Sequence, residues 1–336
     1  MQTDYLIIGS GIAGALLSYE LIQNGASVVV ADHNDELPKA SRVAGAVINP
    51  LNISKWNFVK DHERYIREAL LTYTAIEKLL NIHILHRHSI FAFHESETSK
   101  QLFERSKKAI DDQLHQITGE EHLYLQKKFN YTHGVNKISP VWRIDASLLL
   151  FRWRQYLSEH AMLVEDRFEY RDAVVETTGV YWRGVTAKKI IFCEGVDAIH
   201  NPFFSKIPFT RNRGEALLVD IPTLDASYIY HHQLRLVPAH QGLFWCGSNY
   251  RWDYNDLLPD QLWRQYATAV LNKWLRLPYT ITDHIVAERP TTAGQAPVVM
   301  LHPEIPSVAM LNGLGTRGFS MGPLLTQQMA KMILNA

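Results

Sequence analysis

Three glycines and an acid set the chemistry of the N-terminus. Gly9, Gly11 and Gly14 stand in the spacing G-x-G-x-x-G, and Asp32 follows at about the 20-residue distance of a dinucleotide fingerprint. In that pattern Gly9 permits a tight turn. Gly11 lets the backbone approach a pyrophosphate, and Gly14 lets the next helix pack closely. Ile12 and Ala13 then stand at a helix N-terminus, whose unpaired N–H groups suit phosphate oxygens. Asp32 suits a ribose diol, and its charge argues against a 2′-phosphate and so against NADP. The motif leaves NAD and FAD both open, and an ordinary glycine turn in a sheet protein is the alternative.

These residues need a strand, a turn, a helix and a second strand to position them. Residues 5–8 are an apolar run, 15–21 continue as a helix, and 27–31 form a second apolar run ending at Asp32. His33 opens a polar turn that lasts to Pro38. The small, polar stretch from Lys39 to Pro50 is not typical of an NAD-type fold, which returns promptly to βα units. Residues 60–80 have helical periodicity, with Tyr65, Ala69, Tyr73, Ile76 and Leu80 on one face. Residues 89–93 read as a strand, 96–117 as a charged helix and 131–140 as a loop ending at Ser139-Pro140. Asp145 is placed to cap a helix that runs to about Leu157.

Strands follow near 162–165 and at 173–177 and 180–182, the latter two around a Thr178-Gly179 turn. A buried strand over 189–195 ends in Gly195. From 211 to 286 the texture becomes antiparallel, with short strands at 214–219, 228–230, 234–237 and 243–248. A helix over 261–274 carries Leu262, Tyr266, Val270 and Leu271 as its apolar positions, and a strand at 281–287 follows. The chain closes with Gly313, Gly315, Gly318 and Gly322, then a helix from 324 to about 334 with Pro323 as its first residue.

The chain has 336 residues, 46% hydrophobic and 20% charged, with formal net charge zero. That supports a large core and supplies no global field for nucleic acid or acidic membrane, so no nucleic-acid partner is expected. No apolar run reaches the roughly 18 residues of a membrane span. The first strand begins almost at the N-terminus, so no leader peptide is expected and the expected location is cytoplasmic. Cys193 and Cys246 lie in apolar runs and read as buried free thiols. His83, His86 and His88 lie close together, but without cysteines or an H-E-x-x-H pattern no metal is expected.

Over essentially its whole length the chain resembles the FAD-dependent amine and amino-acid oxidases of the glycine oxidase, sarcosine oxidase and D-amino acid oxidase type. The Gly9–Asp32 unit carries that resemblance first. Ala40-Ser41-Arg42-Val43-Ala44-Gly45 is similar to the family's A-S-x-x-A-G stretch around the flavin. Arg289-Pro290 resembles its R-P segment, and Gly315-Thr316-Arg317-Gly318 with Pro323 resembles its G-x-R-x-G…P segment. Arg213-Gly214-Glu215 stands where the family often has R-G-Q, and Cys193-Glu194-Gly195 where it has A-A-G.

The resemblance implies an α/β fold made of two parts. One is a split Rossmann-type FAD-binding domain over 1–83, 141–210 and 287–336. The other is a mixed, largely antiparallel sheet substrate domain over 84–140 and 211–286. It implies non-covalent FAD, because no cysteine falls near Arg289 or Arg317. The adenine end would meet Gly11, Asp32, His33 and the backbone near 168–170 or Val174, with Gly195 also on the cofactor. The ring would lie near Ser41, Arg42, Ala44 and Gly45. Its other neighbours would be Gly313, Gly315, Thr316, Arg317, Gly318, Phe319, Ser320 and Met321, the glycines packing closely on the flat ring. The positive end of the last helix would face the reduced, anionic flavin.

The implied reaction is CH–NH oxidation of a small amino acid or secondary amino acid, with hydride passing to flavin and the imine hydrolysed in water. The implied partners are a small carboxylate-bearing amine and oxygen or another electron acceptor. Arg289, fixed between a strand and Pro290, suits a bidentate grip on the carboxylate, and Arg317 a second contact. An ordinary salt bridge is the alternative for each. Glycine-oxidase-like members carry a tyrosine a few residues before the V-P that matches Val237-Pro238. Arg235 holds that place here, which suits either a second acidic group or a surface strand position. Tyr230 matches an earlier tyrosine of the segment, and Tyr250 either reaches the pocket or caps a turn. The alternatives in function are three: 2-hydroxy acid oxidation, the flavin domain of tRNA wobble-uridine-modifying enzymes, and an FAD-binding scaffold without catalysis.

Overall fold

The computed structural model describes residues 1–33 and 39–335; most of the polar turn expected at 33–38 lies outside them. The opening apolar run becomes the strand Gln2–Ile8, with Leu6 and Ile7 fully buried on its two faces. A strand covered on both faces needs no polar alternation, which is why the run is continuous. Gln2–Ile8 pairs in parallel with Val28–Ala31 on one side and Val185–Phe192 on the other. The C-terminal half of Val185–Phe192 pairs in parallel with Val308–Asn312. These strands therefore end at one edge and deliver Gly9, Asp32, Cys193 and Gly313 to it. Ligands of open α/β sheets bind at such an edge.

The helices Ile12–Gln23, His62–Leu80, Ala146–Glu159 and Gly318–Leu334 share one apolar core with one face of this first sheet. Asp145 caps Ala146–Glu159 by accepting from Leu148 N. A second, nine-stranded sheet runs in the order Thr280–Thr292, Phe209–Asp220, Leu243–Gly247, Arg235–Pro238, Tyr228–His231, Leu85–Phe93, Val135–Ile144 and Val47–Ile48, with Leu114–His115 beside Val135–Ile144. Its pairings are antiparallel apart from Tyr228–His231 on Leu85–Phe93. Trp245 ties the two halves together. Its indole donates to Val43 O at 3.0 Å, and its ring crowds Gly45, where a Cβ would stand 3.2 Å away. The divisions expected after 140, 210 and 286 all fall inside strands of this sheet.

Several expectations need correction. Val135–Ile144 is a strand, not a loop. The register of its partner slips between His88 and Ile90, so Pro140 lies at a bulge where its missing N–H breaks no regular ladder. The charged helix ends at Ser106 and gives way to a 3-10 segment, Lys107–Gln113, and the short strand Leu114–His115. A further helix, Gly119–Lys128, starts at a reciprocal capping box between Thr118 and Glu121. In Gln261–Trp274 the buried face is Trp263, Ala267, Val270, Leu271 and Trp274, while Leu262 and Tyr266 are exposed.

The closing helix starts at Gly318, so Pro323 is an interior residue and not its first. Tyr73 makes that possible by hydrogen bonding to Phe319 O. Gly318 and Gly322 bring this helix onto the opening one: a Cβ would stand 2.9 Å from Ile12 and 2.8 Å from Leu16 respectively. Among protein atoms the close approach of these two glycines is to the opening helix. No helix among the described residues is long and apolar enough to cross a membrane.

Candidate active site

The turn after the first strand admits only glycine at two places. Gly9 has φ +96°, and a Cβ there would lie 2.5 Å from Cys193 O. A Cβ on Gly14 would lie 1.9 Å from Gly9 O. The first helical amide, Ile12 N, donates to Ser41 Oγ at 3.1 Å, which draws the 40–45 stretch against the helix N-terminus. Gly11, Ile12 and Ala13 line a cavity of about 650 Å³ that opens between the edge of the first sheet and the face of the second.

Asp32 also lines it, and its side chain is almost fully buried. Lys39 Nζ donates to it at 2.8 Å, the Ser10 hydroxyl donates to it, and Arg154 NH1 lies 3.4 Å away. The carboxylate is thus oriented at the edge, with Arg154 also reaching Glu165 at 2.9 Å. Beside it, Glu194 accepts from Tyr170 Oη at 2.6 Å and from Asn201 Nδ2 at 2.9 Å. Burial nevertheless pushes the Glu194 carboxyl up to about 7, against both hydrogen bonds. The first turn of the closing helix, Gly318, Phe319 and Ser320, forms another part of the wall.

The second-sheet wall carries two guanidinium groups. Arg289 NH1 donates to Asn212 Oδ1 at 2.7 Å and to Asn249 O at 3.2 Å, and NH2 donates to Ser248 Oγ at 2.8 Å. All three acceptors are neutral, and no ion pair to Arg289 occurs among the described residues. The guanidinium lies directly over Gly214, where a Cβ would meet NH2 at 2.0 Å, and sits 5.0 Å from the Tyr250 ring centroid. Arg235 lines the same cavity and makes no hydrogen bond or ion pair with any described residue; its Nε is buried and unpaired. Burial lowers the pKa of both arginines, and the Tyr250 phenol opposes that in each.

Of the residues expected at the cofactor, Gly9, Gly11, Ile12, Ala13, Asp32, His33, Ser41, Ala44, Gly45, Gly195, Gly315, Thr316, Gly318, Phe319 and Ser320 line the cavity. Gly14, Arg42, Gly313 and Met321 are not among the lining residues, and Val174 is 56% exposed on the outer hairpin strand Ala173–Glu176. Of those expected at the substrate, Arg289, Arg235 and Tyr250 line it. Arg317 is exposed at the N-cap of the closing helix, off the cavity. Tyr230 is fully buried in the second-sheet core, bonded to Asp225 O at 2.9 Å and to Tyr124 Oη at 3.0 Å. It packs in that core and does not line the cavity.

The sequence reading passes over Lys39, Arg154, Glu194, Ser248 and Glu215. Two of them have a local signal, Glu194 as the acid in Cys193-Glu194-Gly195 and Glu215 as the acid in Arg213-Gly214-Glu215. The Glu215 carboxylate accepts from Asp260 N at 2.9 Å and Asn249 Nδ2 at 3.1 Å, and pairs with His284 Nε2 at 2.9 Å. It thus anchors the segment that carries Tyr250. Cys193 and Cys246 are buried free thiols, and burial raises both, Cys246 to about 12. No cluster of three or more acidic, histidine or cysteine residues suited to a metal occurs among the described residues.

A family model described as DAO, FAD dependent oxidoreductase, matches residues 4–332. Among solved structures, glycine oxidase from Bacillus cereus ATCC 14579 superposes with TM-score 0.81 at 16% identity, covering 99% of this chain and 95% of that one. Glycine oxidase from Geobacillus kaustophilus gives 0.81 at 15%, with the same coverage. Iminodiacetate oxidase from Chelativorans sp. BNC1 gives 0.76 at 18%, covering 98% and 95%.

Proposed function

Starting from the fact that this chain belongs to the DAO family of FAD-dependent oxidoreductases, we propose that it oxidises the CH–NH bond of a small carboxylate-bearing amine. The observation that carries the reading is Arg289. Its guanidinium is aimed and held by Asn212, Ser248 and the Asn249 carbonyl, all neutral, so its charge is left for a ligand carboxylate.

The residues present fit FAD. The turn at Gly9 and the helix start at Gly14 exclude side chains on steric grounds, and the N-termini of two helices meet the cavity wall beside the Asp32 carboxylate. The Ala13 amide would meet the diphosphate in this reading, Ile12 N being held by Ser41 Oγ, and Asp32 would accept from the ribose. Bound FAD supplies the hydride acceptor. The chain's own residues orient the substrate. Arg289 fixes the carboxylate, so the adjacent carbon has one position relative to the sheet edge. Tyr250 sets its ring 5.0 Å from the guanidinium. The unpaired amides at the start of Gly318–Leu334 favour negative charge on whatever lies against them. Attachment is non-covalent in this reading, since the one lining thiol, Cys193, is held protonated by burial. Oxygen or another acceptor completes the cycle.

The 2-hydroxy acid reading needs a base for the hydroxyl, usually histidine. The histidines lining the cavity are His33 and His200, on the wall of Asp32 and Glu194 and not that of Arg289. The test is anaerobic reduction of the visible flavin band. Glycine, sarcosine, D-amino acids, dicarboxylic amino acids and 2-hydroxy acids form the panel. Bleaching by amines supports the proposal, and bleaching by hydroxy acids alone overturns it.

A further inference from the structure

We propose that this site selects substrates with two carboxylates, Arg289 taking the one beside the amine and Arg235 taking the second. The inference rests on the amine-oxidation reading only for which end of the molecule reacts. Arg235 cannot shed its charge, because a guanidinium stays protonated at any ordinary pH. Leaving part of such a group buried without a partner costs stability. Yet Arg235 has neither acid nor acceptor among the described residues, and its Nε is buried and unsatisfied.

The acids nearest in the fold are committed elsewhere. Glu215 is tied to His284, Asn249 and Asp260, and Glu288 to Tyr254 and Arg211. His231, paired across from Arg235, is held neutral by burial and by Arg235 itself. The missing counter-charge is therefore one a ligand brings.

Two arginines on one carboxylate is the competing arrangement; the strand register sets their backbones apart, while the Arg289 guanidinium reaches back to Ser248, and the two-probe test below decides between the arrangements. Arg235 pairs with Gly247, Gly247 with Ala216, and Ala216 with Ile285, whereas Arg289 stands further along that last strand. At the backbone the two residues are separated by roughly 14 Å across the sheet and roughly 13 Å along it. Arg289 folds back over Gly214 and Tyr250 influences both guanidiniums, so one cavity joins them. Both guanidiniums open into that cavity, so a ligand lying in it can meet Arg289 with one carboxylate and Arg235 with the other.

The experiment uses flavin-loaded protein and two unreactive probes of equal length, glutarate and pentanoate, followed by titration calorimetry. The wild type is expected to bind glutarate on the order of 100-fold more tightly than pentanoate. Arg235→Met is expected to bring glutarate down to the pentanoate level. Arg235→Lys keeps the charge without the fork and is expected to keep part of the preference; it carries the test where the methionine variant loses flavin. Equal binding of both probes by the wild type overturns the proposal, as does an equal loss for both probes in either variant. Flavin bleaching by amines without glutarate preference sinks only this inference. Glutarate preference without bleaching by any amine sinks only the functional reading.

Discussion

The hydroxyl of Tyr73 lies 2.8 Å from the carbonyl oxygen of Phe319, four residues before Pro323. In an unbroken helix that carbonyl would receive the N–H of residue 323, which proline lacks. Tyr73 is fully buried, so no water replaces it. Tyr73→Phe is therefore expected to destabilise the fold by about 1–3 kcal/mol, the cost of one buried unsatisfied acceptor. Restoring the missing donor with Pro323→Ala should recover much of that loss. A double-mutant cycle by urea unfolding measures the coupling; additive effects would refute the assignment.

Gly14 and Gly11 belong to one motif but differ in what they tolerate. A Cβ on Gly14 meets Gly9 O at 1.9 Å, backbone against backbone, so the helix must shift. Gly14→Ala is expected to lose more than about 3 kcal/mol, or to fail to fold, and to purify without flavin. A Cβ on Gly11 meets only Ser41 Oγ, at 3.3 Å. Gly11→Ala is expected to keep the fold and lose mainly flavin affinity. Melting temperature and flavin content on both variants separate the two roles.

This contrast also explains what the sequence makes legible. Gly9, Gly14 and Asp32 are readable because backbone geometry and a strand end leave few alternatives. Arg289 is readable through its fixed setting before Pro290. The strand Val135–Ile144 is concealed because Pro140 reads as a breaker until its bulge is seen. Val308–Asn312 is concealed because a strand buried throughout shows no alternation, and nothing in 295–312 marks it otherwise. The partners of Asp32 are unreadable for another reason: Arg154 is 122 residues away in sequence, and only the fold brings them together. Tyr230 and Arg317 fit a motif by type, but strand facing and helix onset point them away from the cavity.

Glu194 gives the protein a pH dependence of definite sign. Its carboxyl is raised from 4.5 to about 7 by burial, so the folded state holds a proton that the unfolded chain releases. That contribution is complete below pH ~4.5 and is lost as pH rises through about 7, up to about 3 kcal/mol in all. Glu194→Gln should flatten the slope between these limits while Tyr170 and Asn201 keep a partner of the same shape. Urea midpoints at pH 5 and pH 8 for both proteins check it; an unchanged slope in the variant would assign the effect elsewhere.

Arg289 should show the signature of a carboxylate grip. Arg289→Lys keeps a positive charge but cannot reach Asn212, the Asn249 carbonyl and Ser248 together. The expected loss in kcat/KM is about 2–5 kcal/mol for amines bearing a carboxylate and much smaller for amines lacking one. Equal losses for both classes would mean that Arg289 shapes the wall and does not hold the substrate.

Glu215 acts on the site through the segment it pins. Its carboxylate is fully buried and joins Asp260 N, Asn249 Nδ2 and His284 Nε2, with Arg213 NH2 at 3.5 Å; Arg213 in turn bonds Leu258 O. Asn249 and Asp260 bracket the stretch that carries Tyr250, and Ser248 directly precedes it. Glu215→Gln preserves the shape but replaces an acceptor oxygen with an NH2 that faces donors, so about 3–5 kcal/mol of stability should be lost. The site should respond separately: KM for a carboxylate amine should rise more than kcat falls, because Ser248 and Tyr250 orient Arg289 without taking part in hydride transfer. Limited proteolysis is expected to cut first between 250 and 260. A variant equally unstable but unchanged in KM and cleavage pattern would show that the network supports the core alone.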